Sequence, residues 1–340
     1  VRWLLRRAGW SLFVVWAVVS LAFAVNNLVP GDPARMVAGV QAGPAEVARI
    51  RDQLGLDRPP LVQYALFWRR LVHVGPRDVD PHGDPAHVNC VAVVPLGGSA
   101  VHIDLGKSYL RRQPVVSLVA ERLPRTFALA LAGLVLQLLF GITTGVLAAA
   151  RRGTWFDRIL VSTSLLGVSA PTFLIALILQ IVLARGLRWL PLDGFGKTLP
   201  EHVQCLVLPA LTLGIYGAAY YTRIVRDEMA GLMTQDWVRT ARAKGASPAR
   251  VLLRHVLRNA LVPIVTSAGL DFGALMGGAV VTETVFRWPG IGFLAVNAVL
   301  NRDGPIILGC VIVSAVAVTF SSLLVDVIHA RVDPRMRASS

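Results

Sequence analysis

The chain is poor in cysteine and in charge. Its 340 residues include 3 cysteines, and only 16% are Asp, Glu, Lys or Arg. Three cysteines exclude a disulfide-framework fold. So little charge, beside 54% hydrophobic residues and a mean hydropathy of +0.60, excludes an ordinary water-soluble domain. No Gly-x-x-x-x-Gly-Lys-Ser/Thr loop is present, so the chain is not expected to bind ATP itself. Ser, His and Asp occur in no recognisable catalytic arrangement, and His73, His82, His87, His102 and Cys90 fit no standard zinc spacing. Basic tracts interleaved with aromatics are missing too, which argues against a nucleic-acid surface. Acidic residues are scarce: 20 against 34 Lys and Arg, a formal net charge of +14. In a hydrophobic chain that excess reads as membrane orientation and contact with anionic lipid.

What is present is apolar length. Six runs, roughly 9–29, 126–150, 159–184, 205–222, 260–286 and 305–329, are long enough to cross a bilayer. Pro209, Gly214 and Gly217 interrupt the fourth, which spans tolerate where neighbouring helices compensate. The first run follows Arg2, Arg6 and Arg7, as a signal peptide would, but leads into Asn26-Asn27-Leu28-Val29-Pro30-Gly31 rather than a small-x-small cleavage site. It is expected to be a retained span. Short basic connections at Arg151, Arg152 and Arg158, at Arg223 and Arg226, and at Arg331, Arg335 and Arg337 place both termini and the fourth-to-fifth connection in the cytoplasm. The expectation is an all-α membrane protein with six transmembrane helices and a long extracytoplasmic segment after the first. Its divisions are 1–30, the N-terminus and first span; 31–125, the outer segment with an inserted loop at 73–102; and 126–340, a five-span core with a cytoplasmic loop at 223–259.

That cytoplasmic loop is the most patterned part of the chain. From Gln235 to Pro248 it predicts a short helix, a glycine turn and a second helix. Asp236 or Thr234 is a candidate cap for the first helix, Gly245 sits where a left-handed residue closes it, and Ser247-Pro248 is an N-cap and first-turn pair for the second. Arg250, Arg254 and Arg258 form one stripe of the second helix, and Leu253, Leu257 and Leu261 another. A basic amphipathic hairpin at the membrane surface calls for a protein partner or lipid headgroups.

The same loop, Arg239-Thr240-Ala241-Arg242-Ala243-Lys244-Gly245 with Arg254-His255 and Arg258-Asn259-Ala260, resembles the coupling loop of bacterial ABC-importer permeases of the dipeptide, oligopeptide and nickel branch. In the general pattern Glu-Ala-Ala-x-x-x-Gly the matching residues are Arg239, Thr240, Ala241 and Gly245, so the Glu and the first Ala are replaced. Further segments resemble the B-type permease subunit and occur in family order. Among them are Pro30-Gly31-Asp32-Pro33, Asp104-Leu105-Gly106-Lys107-Ser108, Ser169-Ala170-Pro171-Thr172-Phe173, Gly277-Gly278-Ala279-Val280-Val281-Thr282-Glu283 and Asp333-Pro334-Arg335. The resemblance implies a type I ABC importer permease fold in a bacterial cytoplasmic membrane. It implies a heterodimer with a second permease, two cytoplasmic ATPase subunits that bind ATP and Mg, and an extracytoplasmic substrate-binding protein. This chain would bind no cofactor and perform no catalysis. Asp236, Trp237, Arg239, Thr240, Ala241, Arg242, Lys244, Gly245 and Ser247 would form the ATPase-coupling surface, with Trp237 as its apolar anchor. The implied substrate is a short peptide; nickel chelates, glutathione and other small solutes stay open. An ion-driven secondary transporter would need inverted repeats, and no such repeat is visible.

Three further expectations concern particular residues. Asp271, in the fifth run, is a costly intramembrane carboxylate, read either as a water-facing group on the translocation route that meets a cationic or amino-terminal part of the substrate, or as a carboxylate paired with a neighbouring subunit or hydrated for structural reasons. Glu283 is assigned to the same route. The 73–102 stretch departs from the family pattern; His82, Asp84 and His87 within it are candidates for docking the binding protein, the alternative being a surface insertion. Cys90 and Cys205 both fall on the outer side in this topology and are a candidate disulfide.

Overall fold

Long apolar runs become long helices because a chain in lipid must satisfy its backbone internally. The computed structural model describes residues 2–28, 33–39, 41–53, 55–76, 89–96 and 99–332. Among these, five helices are long and apolar enough to cross a membrane: Arg6–Asn27, Val115–Ala150, Leu199–Leu232, Pro248–Met276 and Gly304–Val327. The 34-residue Leu199–Leu232 helix runs on through Pro209, Gly214 and Gly217 without a break. At about 1.5 Å per residue it is some 50 Å long, well beyond the roughly 30 Å of hydrocarbon it would cross.

The third expected span is two helices, not one. Trp155–Ser169 ends at Ala170, whose φ of −76° and ψ of 127° are extended, and Thr172–Leu179 starts after Pro171 and winds on to Gly186 as a π-helix. Proline disfavours a helical residue before it, so Ala170-Pro171 forces the break. The fifth expected run also divides: its helix stops at Met276, Gly278 takes a φ of +114°, and Val280–Val285 is a separate short helix.

Packing groups the chain into two units. One comprises Val1–Trp3, Arg125–Pro289 and Ala317–Ser340; the other comprises Leu4–Pro124 and Gly290–Val316. In the first, small residues let helices approach closely. A Cβ on Gly145 would lie 2.6 Å from Val225 Cβ and 2.8 Å from Thr222 O, and one on Gly273 would lie 2.8 Å from Ser321 Cβ. These contacts are the helix-packing use of small residues. Beside Gly145, Thr144 and Thr222 share a hydroxyl hydrogen bond of 2.6 Å. The turn after Ala150 is pinned by Asp157, whose carboxylate accepts from Arg226 Nε at 2.8 Å, Arg226 Nη2 at 2.9 Å and Gly153 N at 3.0 Å. The Arg226 hydrogen bonds, with help from Gly153, hold the Asp157 carboxyl down at about 2.

In the second unit the inserted stretch is not a loop throughout. Strands β1 (Val72–Pro76), β2 (Cys90–Leu96) and β3 (Ser99–Asp104) form an antiparallel sheet in the order β1-β3-β2. The all-α expectation is therefore corrected to a mostly helical chain that, among the described residues, also carries a small sheet. Its register pairs His73 with His102 and Cys90 with Asp104, and a bulge falls between Ala92 and Val94. Ala100, His102 and Asp104 are buried. Val72, Val74, Val91 and Val94 are exposed on the other side, so the sheet buries its polar residues and shows its valines. That inverted polarity is why alternation in the sequence did not read as a half-buried strand. Following the sheet, buried Asp303 accepts from Ser108 Oγ at 2.5 Å, Tyr109 N at 3.2 Å and Leu110 N at 3.3 Å, fixing the chain ahead of Val115.

Candidate coupling surface and membrane cavity

The 235–248 connection folds as patterned, with one difference at its start. Asp236–Ala243 is a helix whose N-cap is Gln235 and carries no side-chain capping bond. Neither Asp236 nor Thr234 caps it. Thr234 Oγ1 donates back to Gly231 O at 2.7 Å, and Asp236 occupies the first helical turn, where its charge complements the dipole, 3.7 Å from Arg239. At the other end Gly245 has a φ of +80°. Its N–H donates to Arg242 O at 2.9 Å and the N–H of Ala246 to Ala241 O at 3.2 Å, the paired bonds of a Schellman closure. Ser247 Oγ then accepts from Arg250 N at 3.4 Å, with Pro248 following it, and the chain enters the Pro248–Met276 helix through a π-helical stretch, Val251–Val256.

The short helix has two unlike faces. Val238 is wholly buried in a core with Tyr221, Val225, Met229, Val251 and Val256, and Ala241 and Ala246 pack against the same cluster. Asp236, Trp237, Arg239, Thr240, Arg242, Lys244, Gly245 and Ser247 lie on the exposed side, Trp237 with 38% of its surface open. The following helix carries Arg250, Arg254 and Arg258 exposed, while Leu257 and Leu261 join the core and Leu253 stays outside it. Trp237, the expected apolar anchor for an ATPase, lies on the exposed face, and the residue that seats the helix on its own chain is Val238.

Farther along the same unit a cavity of about 510 Å³ opens among the long helices. Asp271 lines it with Gln137, Thr172, Tyr216, Gly217, Tyr220 and several apolar residues. Tyr221 Oη donates to Asp271 Oδ2 at 2.9 Å, so the carboxylate is both paired and open to the cavity. The partner is a phenol of the same chain, and the carboxylate keeps a face on the cavity. Glu283 is not part of that wall: it is fully buried and accepts from Thr126 Oγ1 at 2.9 Å. Gln137 escaped the sequence reading, although a lone amide inside the apolar run Gly133–Phe140 is a signal of an intramembrane polar contact.

The remaining candidates separate. His82, Asp84 and His87 lie outside the described residues. Cys90 and Cys205 are not bridged. Cys90 Sγ sits 3.4 Å from His102 Nδ1 instead, and Cys205 packs beside Leu129, Ala210 and Trp288. Among the described residues no group of three or more His, Cys, Asp or Glu is placed to hold a metal.

A chain of long apolar helices, with an exposed helix set on its own core and a cavity between spans, has the build of a membrane transport subunit. Residues 141–338 match the family described as binding-protein-dependent transport system inner membrane component, and residues 1–130 match that family's N-terminal region. The chain belongs to this family. It is 38% identical over 337 residues to a protein named as a peptide transport system permease in Brucella abortus, covering 98% of each chain. It is 37% identical over 320 residues, 94% of each chain, to the glutathione transport system permease protein GsiC of Salmonella paratyphi A. Among solved structures, the inward-facing MetNI methionine ABC transporter aligns with a TM-score of 0.51 at 16% identity, covering 65% of this chain and 98% of that one. That likeness shows a shared fold. The protein is thus a multi-pass inner-membrane permease subunit of an ABC importer, and a transport component rather than an enzyme. ATP is the ligand of its ATPase partners, and a binding protein belongs to the system.

Proposed function

We propose that this permease imports short peptides as half of a heterodimer with a second permease, driven by two ATPase subunits and supplied by an extracytoplasmic binding protein. The observation that carries the coupling part is the two-faced helix Asp236–Ala243. Burial of Val238 ties it to the transmembrane core, and its exposed face is left for a partner. A displacement imposed on Trp237, Arg239, Arg242 and Lys244 would therefore be passed to the helices that pack Val238. The peptide part rests on end-to-end similarity to the Brucella peptide permease; the Salmonella relative handles glutathione, itself a peptide-like solute.

Six crossings are proposed, with Trp155–Ser169 and Thr172–Gly186 together making the one that is not a single long helix, and both termini in the cytoplasm. Asp271 and its cavity form part of the translocation route, whereas the burial of Glu283 supports a structural role beside it. The sheet of residues 72–104, with four exposed valines, is the docking element for the binding protein; an apolar patch on a membrane protein's aqueous face favours a protein partner.

Reconstitution tests the whole reading. The chain is purified with the subunits that accompany it and placed in proteoliposomes with the binding protein. ATP-dependent uptake of labelled dipeptide, indifferent to ion gradients, is expected. Uptake that follows an ion gradient without ATP would refute it. Deleting 76–100 should weaken binding-protein affinity; unchanged affinity and uptake would remove the docking role.

A further inference from the structure

Among its described lining residues the cavity at Asp271 carries a single sign of charge and, besides hydroxyl groups, two side-chain acceptors that concern a ligand. Gln137 is 3% exposed, and its Nε2 donates to Leu213 O at 3.2 Å. A backbone carbonyl can only accept, so this bond orients the amide and turns Oε1 away from Leu213. Oε1 has no hydrogen-bond partner among the described residues. A buried acceptor left in that condition is costly; Oε1 has almost no accessible surface, so a ligand donor relieves it by displacing the side chains that cover it. Gly217 makes room for the group, since a Cβ there would collide with the Gln137 amide. Asp271 supplies the second acceptor. The Tyr221 phenol occupies Oδ2 from one side, and a carboxylate has about four acceptor positions. Among the described residues Asp271 is the only charged one on the wall, so nothing there offsets its negative charge. Tyr216 and Tyr220, 39% and 48% exposed, add aromatic surface, and Leu213, Leu275, Val280 and Val281 add apolar surface.

From this arrangement we infer that the cavity recognises a primary ammonium group carried on an apolar body, with Asp271 as counter-charge and Gln137 Oε1 as second acceptor. An ammonium has three donors and a positive charge, enough to serve two acceptors, and tyrosine faces stabilise cations. A carboxylate or phosphate would find donors in the Thr172, Tyr216 and Tyr220 hydroxyls but would face the like charge of Asp271. The inference rests on the reading of Asp271 as part of the route and adds what the route selects: the free amino end of a peptide, read within the membrane after the binding protein has released it.

The test uses the full chain, with its co-purifying subunits, in lipid nanodiscs. Binding of L-leucinamide and of N-acetyl-L-leucinamide is followed by saturation-transfer NMR. The free amine is expected to bind at least tenfold more tightly. Asp271→Asn should abolish that preference, and Gln137→Met, close in volume, should reduce it several-fold while size-exclusion behaviour and thermal unfolding stay near wild type. Equal binding of the two probes, binding of neither, or a preference untouched by both substitutions would overturn the inference. Uptake of labelled alanyl-leucine by the complete importer is measured in parallel. Peptide uptake without an amine preference sinks the ammonium site alone; an amine preference without peptide uptake sinks the peptide reading alone.

Discussion

Replacing Gly245 by Val perturbs one backbone angle and little else. A Cβ at this position meets nothing within 4 Å, so no neighbour clashes with it. The cost comes from φ, which at +80° is a left-handed value that a β-branched residue resists by about 2 kcal/mol. The turn escapes that strain by opening, which gives up the Gly245-to-Arg242 and Ala246-to-Ala241 bonds, each of net value about 1 kcal/mol. The two costs are comparable, so the closed turn loses its dominance; about 2 kcal/mol is a shift of roughly 30-fold in its population. Global stability should barely move, because Val238 still seats the helix on the core. What changes is the angle at which the exposed face from Trp237 to Lys244 is carried into the Pro248–Met276 helix. In proteoliposomes the complex carrying Gly245→Val should assemble and hydrolyse ATP, with solute moved per ATP down about tenfold. Gly245→Asn, which tolerates the left-handed region, should stay near wild type. Normal coupling in the Val variant would refute the reasoning. So would an Asn variant as poor as Val, since that would locate the effect in the side chain rather than in φ.

Trp237→Ala should leave the thermal midpoint of the chain within a degree or two, because the ring is partly exposed, yet weaken ATPase co-purification by tenfold or more if the ring is an interface anchor; a pull-down with quantified ATPase decides. Asp157→Asn should destabilise the fold by about 3 kcal/mol, as removal of one member of a largely buried ion pair does, and lower the denaturation midpoint of the detergent-solubilised chain. The same pair predicts an acid transition. With the Asp157 carboxyl lowered from an ordinary 3.8 to about 2, its stabilisation is complete above about pH 4 and is lost as pH falls from there towards 2. A wild-type chain whose pH-stability curve matches that of Asp157→Asn across that window would contradict it. Gly145→Leu should cost about 1–3 kcal/mol by forcing apart the helices that meet at Thr222 and Val225, and a thermal midpoint equal to wild type would show that the contact is slack.

Local chemistry made some features readable. Apolar length marked the helices, and the Gly245 turn with Ser247-Pro248 after it was legible because a left-handed closure and an N-cap each demand particular residues within a few positions. The breaks at Ala170-Pro171 and Gly277-Gly278 were carried by residues in plain view, but hydropathy runs straight across them. A window average measures apolar content, and proline or glycine leaves that almost unchanged while ending the hydrogen-bond ladder. The sheet was hidden for a different reason. Its valines face outward and its His102 and Asp104 face inward, the reverse of the alternation by which strands are recognised.

By itself, then, the sequence settled the class of protein, the apolar character of its long helices, and the Gly245 closure and Ser247-Pro248 start within 235–248, all of which depend on residues near one another in the chain. The tertiary structure alone decided that Val238 is buried while Trp237 stays exposed, that Cys90 meets His102 rather than Cys205, and that Gln137, Tyr220 and Asp271 from three helices line one cavity, with buried Tyr221 bonded to Asp271 behind it. Which side of a helix is covered, and which distant polar groups meet, follow from close packing between segments, and no local periodicity carries that information.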